Sequence, residues 1–204
     1  LSAGFIPCLK DRHPDINLLL HECRRSEIIH KMEENGVHIG LLPIRKENQA
    51  DSTATLERIR KNGWDCYEVM EYLFLGSGHP LALTGEITPQ MLAQVPLGTY
   101  SHVNDDNWLL FGHYFSGEAG FRCHSKDAIL QYVAQNRCAA IFPRFTSQYE
   151  YFVSQGAVQP VMVHGLDFGH ATFLLVHQSG KSLLREEQSV VCALKRYFKD
   201  CTCK

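Results

Sequence analysis

Arg122-Cys123-His124-Ser125-Lys126 is a stretch whose residue types and spacing could do chemistry. A strand running into a helix leaves the first amides of that helix without partners. Those amides, the Ser125 hydroxyl and the Lys126 ammonium could together hold a carboxylate or a similar anion. Tyr100-Ser101-His102 ends a second candidate strand in the same way. Ordinary helix capping by Ser125 explains the same residues equally well, and residue types alone do not separate the two readings.

Other candidate motifs dissolve on inspection. Gly180-Lys181-Ser182 resembles the end of a phosphate-binding loop, but the position where that loop requires its first glycine is Leu175. Gly76-Ser77-Gly78 lacks the third glycine of a dinucleotide fingerprint and the spacing of a nucleophile elbow, so it reads as a turn. Eleven histidines and eight cysteines are available as metal ligands. No C-x-x-C pair or H-E-x-x-H helix occurs, and the neighbours Cys123 and His124 would point to opposite faces of a strand. His164, His170 and His177 read as surface residues. The sequence therefore predicts no metal, no cofactor and no catalytic constellation, and the chain is not expected to be an enzyme. Cys138 and Cys192 stand in apolar runs, where cysteine behaves as a small buried hydrophobe, so reduced thiols in a cytoplasmic protein are expected.

The elements that must position these residues belong to an ordinary globular chain. Of 204 residues, 45% are hydrophobic and 21% charged, enough for a real core. A net charge of −2 without a basic stripe gives this chain no reason to bind nucleic acid. No apolar run approaches the roughly 20 residues of a membrane span. The opening residues lack a basic start and a long apolar core, which reads as a fragment boundary.

Strand and helix signals alternate, the pattern of an α/β domain with a mixed, mostly parallel sheet. Strands are expected at 16–22, 37–42 (stopped by Pro43), 67–75, 97–100, 120–123, 139–142, 158–164 and 172–177. Ile28, Ile29 and Met32 share a helix face that ends at Asn35-Gly36. Thr88 and Pro89 start a short helix, and residues 45–63 form a surface excursion with room for a short helix at Leu56 and Ile59. The span 125–136 has Ser125 as N-cap and Ile129, Leu130, Val133 and Ala134 on one face. A last amphipathic helix covers 183–199, with Val190, Val191, Leu194, Tyr197 and Phe198 inward.

Taken in order, several segments resemble the regulatory domain of LysR-type transcriptional regulators. They are Phe5-Ile6-Pro7 with Arg12-His13-Pro14-Asp15-Ile16, Val37 to Leu42, Glu71 to Leu75 with His79-Pro80-Leu81-Ala82, Ile87 to Leu92 with Pro96-Leu97, and Ser125 to Pro143. Where many members carry a glycine pair, this chain has Asn136-Arg137-Cys138, and Asn136 can take the left-handed conformation the turn needs.

The resemblance implies a two-lobed fold like that of type II periplasmic binding proteins, with lobe I at 1–74 plus 175–204, lobe II at 75–174 and a hinge of two crossover strands. It implies a small-molecule effector in the interlobe cleft at Tyr100, Ser101, His102, His124, Ser125 and Lys126, walled by Phe142, Pro143, Arg144, Pro43 and Ile44. It also implies a homodimer or homotetramer, with the first helix and residues 16–22 facing the partner's second lobe. DNA would be bound only through an N-terminal winged-helix domain absent from this chain. The family's first strand would precede Leu1, and no cysteine stands in 101–117, where the peroxide-sensing branch carries its pair. A free-standing solute-binding protein of a transporter shares this architecture and is the alternative.

Overall fold

Residues His170–His177 are buried almost from end to end, the mark of a strand covered on both faces. The computed structural model describes residues 2–21, 23, 25–34, 36–44, 63–100, 110–116, 119–177 and 183–202. They divide into two compact units, Leu1–Val69 with His170–Lys204, and Met70–Gly169. The chain passes between them inside one long strand, Gly63–Gly76, and returns at the start of His170–His177.

The first unit contains helix α1 (Ser2–Arg12), α2 (Arg25–Glu33), strand β1 (Ile39–Ile44), the front of β2 (Gly63–Gly76), β7 (His170–His177) and α6 (Arg185–Thr202). β7 lies between β1 and β2, antiparallel to β1 with Leu42 opposite Leu174. Alternate residues of β7 feed two cores. Leu174 and Val176 meet Ile29, Met32 and Leu42 under α2, while Phe173 lies 5.6 Å from Phe198 of α6. Tyr67 of β2 stacks on Phe198 at 4.9 Å, and Phe5 of α1 meets Tyr197 edge-on at 6.1 Å. Each such ring or aliphatic side chain contributes about 1.5–3 kcal/mol when fully buried. α2 approaches β1 so closely that a Cβ on Gly40 would stand 2.6 Å from Met32 Sδ.

Two expectations for this unit need correction. Residues 16–21 are not a strand, and Leu19 and Leu20 are 81% and 50% exposed. An apolar run becomes a strand only when a neighbour accepts its backbone, and this stretch pairs with none of the seven strands. Pro43 does not stop β1, which runs on to Ile44 with Pro43 opposite Phe173. β1 is a terminal strand in the sheet order, where the missing N–H of proline removes no ladder bond on the outer side. The excursion at 45–62 lies outside the described residues, as does Gly180-Lys181-Ser182.

The second unit holds the rear of β2, β3 (Leu97–Tyr100), β4 (Ala119–Cys123), β5 (Ala139–Pro143), β6 (Val158–Val161), α3 (Lys126–Ala134) and the one-turn helices α4 (Thr146–Tyr149) and α5 (Tyr151–Ser154). The strand order is β2-β5-β3-β4, with β6 also on β2. β2 is antiparallel to β5 and β6, whereas β3 is parallel to both β4 and β5, so the sheet is mixed. The two-residue side-chain period sorts the core. Phe74, Ala140 and Phe142 face Ile129, Leu130 and Val133 of α3. Leu73, Leu75, Ile141 and Leu97 face the opposite layer of Ile87, Leu92, Phe115 and Phe168.

The segment after Thr88 forms a 3-10 helix, Pro89–Gln94, and Thr88 makes no side-chain cap bond. The turn at His79-Pro80 opens a second one, Pro80–Leu83, capped by His79 Nδ1, which accepts the Leu81 N–H at 3.2 Å. Burial lowers the pKa of His79, which favours the neutral ring that this acceptor role requires. No helix among the described residues is long and apolar enough to cross a membrane.

Candidate functional site

β3, β4 and β5 run parallel, so their carboxyl ends emerge at one edge of the second unit, where open α/β sheets place their ligand sites. The register sets Tyr100 opposite Cys123, and the Tyr100 ring stands edge-on to Phe142 with centroids 6.1 Å apart. Tyr100, His124-Ser125-Lys126 and Phe142-Pro143-Arg144 are thereby brought to the ends of three neighbouring strands. Ser101 and His102 lie outside the described residues. Pro43 belongs to β1 of the first unit, where it is exposed, and Ile44 ends that strand.

Within this edge the residues have unequal parts. Ser125 is the N-cap of α3 in extended conformation, its hydroxyl accepting the Ala128 N–H at 3.4 Å, and the side chain stays exposed. Its carbonyl accepts from the Cys123 thiol at 3.0 Å, which ties the end of β4 to the helix start. His124 is exposed between them. Phe142 is only 4% exposed and works as core beneath Tyr100. Arg144 is half-buried; its N–H donates to Met70 O at 2.8 Å, and its carbonyl accepts from Ser147 N at 2.9 Å.

Lys126 does not stand alone. Its ammonium pairs with Glu150 Oε1, from the junction between α4 and α5, and lies 3.9 Å from Asp127. The Glu150 side chain is 7% exposed and that of Lys126 23%. Removing one partner from a fully buried pair costs about 3–5 kcal/mol, because the other charge is left uncompensated, and partial solvent access to Lys126 reduces that figure. Sequence reasoning missed Glu150. It lies 24 positions from Lys126, and its only local sign is a lone carboxylate among Tyr149, Tyr151 and Phe152. Thr99 lies on the Leu97 face of β3, away from α3, and its buried hydroxyl has no hydrogen-bond partner among the described residues.

The chemistry available here is polar recognition. Cys138, beneath β3, has its thiol pushed up to about 12 by burial, so it remains protonated and packed. Among the described residues Cys8, Cys23, Cys66, Cys123, Cys138 and Cys192 carry thiols and not disulfides. No group of three or more potential metal ligands gathers among them.

A mixed α/β chain of two units with parallel strand ends at one edge of the second has a periplasmic-binding-protein-like fold. The chain belongs to the LysR substrate-binding domain family, whose model, described as LysR substrate binding domain, matches residues 3–199. Among solved structures it is similar to the reduced OxyR regulatory domain of Pseudomonas aeruginosa, with 13% identity, a TM-score of 0.69, and 98% of this chain and 91% of that one covered. The effector-binding domain of QuiR in complex with shikimate matches at 14% identity and TM-score 0.66, covering 98% and 92%. The regulatory domain of CcmR from Synechocystis PCC6803 in complex with 2-PG matches at 16% and 0.64, with the same coverage. These likenesses establish the fold. No curated protein matches the chain. These three neighbours are described as regulatory or effector-binding domains.

Proposed function

We propose that this chain is the effector-binding domain of a LysR-type transcriptional regulator. It binds a small metabolite in the interlobe cleft that the resemblance implies, with the ends of β3 and β4 and the start of α3 as contacts. The observation carrying this reading is the shared carboxyl edge of three parallel strands within a LysR substrate-binding domain. Effector binding acts by population shift: a ligand contacting two arrangements unequally moves their balance, and equal affinity would move nothing. The protein is cytoplasmic and not an enzyme on this reading, and DNA is bound through a winged-helix domain elsewhere in the regulator. It assembles as a homodimer or homotetramer, which the exposed Leu19 and Leu20 beyond α1 support.

The test is a thermal-shift screen of metabolites against the chain, followed by amide chemical-shift mapping of each hit. A hit is expected to move the amides of 97–100 and 124–128. The double variant Ser101→Ala/Ser125→Ala should lose that response while keeping a dispersed spectrum. A retained response in the double variant would overturn the site.

A further inference from the structure

The edge at α3 has features that draw an anion: the positive end of a helix dipole and a lysine at the first helical position, although the Ala128 amide is already capped by Ser125. The fold supplies an anion of its own. Glu150 sits between two one-turn helices, its backbone held by bonds from Glu150 N to Thr146 O and from Ser154 N to Glu150 O. This places its carboxylate, more than nine-tenths buried, on the Lys126 ammonium. That geometry costs desolvation, and the lysine pairing offsets it.

We infer that Glu150 is a built-in counter-ion and the specificity-determining residue of this edge: it satisfies Lys126 from within, so the effector bound here is an uncharged polar molecule rather than a carboxylate or phosphate. A neighbouring group fits such a ligand. Ser125 keeps an exposed hydroxyl that can still donate while it accepts from Ala128. An incoming carboxylate would instead meet a carboxylate already in place, and like charges at close range disfavour each other.

The inference rests on the effector-site reading above, and its test separates the two. Sodium sulfate is titrated into the chain at constant ionic strength, with the amides of 124–128 followed by two-dimensional NMR. The wild type is expected to show no saturable shift at these amides. Glu150→Gln keeps the shape and removes the charge, and should gain sulfate affinity there by at least about tenfold. Glu150→Gln/Lys126→Gln should lose that gain. Saturable sulfate binding by the wild type at these amides would overturn the inference, as would a Glu150→Gln protein that binds sulfate no better than wild type. Should Glu150→Gln lose its dispersed spectrum, the wild-type titration still decides. In the metabolite screen, a carboxylate that binds wild type at these amides leaves the site standing and sinks the counter-ion role. A Glu150→Gln gain without any metabolite hit at the edge does the reverse.

Discussion

Glu187 shows what one side chain does at the residue scale. It stands in the first turn of α6, and its Oε2 accepts the Leu184 N–H at 2.8 Å, half of a capping box. Oε1 pairs with His38 Nδ1 from the turn before β1, so one carboxylate holds a helix start to a strand start. The His38 hydrogen bond, helped by the Leu184 amide, holds the Glu187 carboxyl below its ordinary value of 4.5. The sign follows from linkage: a depressed carboxyl stabilises the fold fully above its unfolded pKa, and that contribution is lost as pH falls through the lower folded value. Glu187→Gln should therefore flatten the acid limb of stability below about pH 4.5 relative to wild type, as measured by urea midpoints across a pH series. An unchanged acid limb would contradict the assignment. For His79, lowered by burial, the direction is the same with a different range: its contribution is complete above the ordinary imidazole value of 6.5 and declines below it.

Between elements, the join of β2 to the end of α3 depends on Asn136 and Gly76. Asn136 takes φ of 59°, the left-handed conformation read from the sequence as what the turn needs. A Cβ on Gly76 would stand 2.2 Å from Asn136 Oδ1 and 2.5 Å from Val133 O. The side chain could swing away; the carbonyl belongs to α3 and cannot. Gly76→Ala should cost about 1–3 kcal/mol of overpacking, read from the urea midpoint. Adding Asn136→Gly should restore only part of it, since Val133 O remains in the way. Full restoration would place the whole conflict on the side chain. At this scale the sequence was legible where a pattern is local. The apolar face of α3, the Ser125 cap and the inward face of α6 all stand as read. Residues 16–21 were misread because apolar content signals burial and cannot supply a strand partner.

For the whole molecule, exposed apolar side chains are the feature on which the proposed assembly can be tested. Among the described residues Leu19, Leu20, Leu83, Tyr151, Met162 and Leu184 are at least half exposed, and of these Leu19 and Leu20 are adjacent, at 81% and 50%. On the proposed assembly, Leu19→Glu/Leu20→Glu should convert the chain to a monomer in sedimentation velocity without altering its far-ultraviolet circular dichroism. Wild-type protein that sediments as a monomer throughout a concentration series would remove this part of the proposal.

The sequence by itself determined the class of fold, because the helix and strand periods and the capping residues are local consequences of backbone geometry. It also located the edge at Tyr100 and His124 to Lys126, since a strand running into a capped helix is visible in a few consecutive residues. Only the tertiary structure decided what that edge contains. The parallel course of β3, β4 and β5 gathers three strand ends that lie far apart in the chain, Phe142 packs into the core beneath Tyr100, and Glu150 arrives from a different helix junction to pair with Lys126. A residue's charge is written in the sequence, but whether that charge is available to a ligand depends on which distant side chain the fold brings beside it.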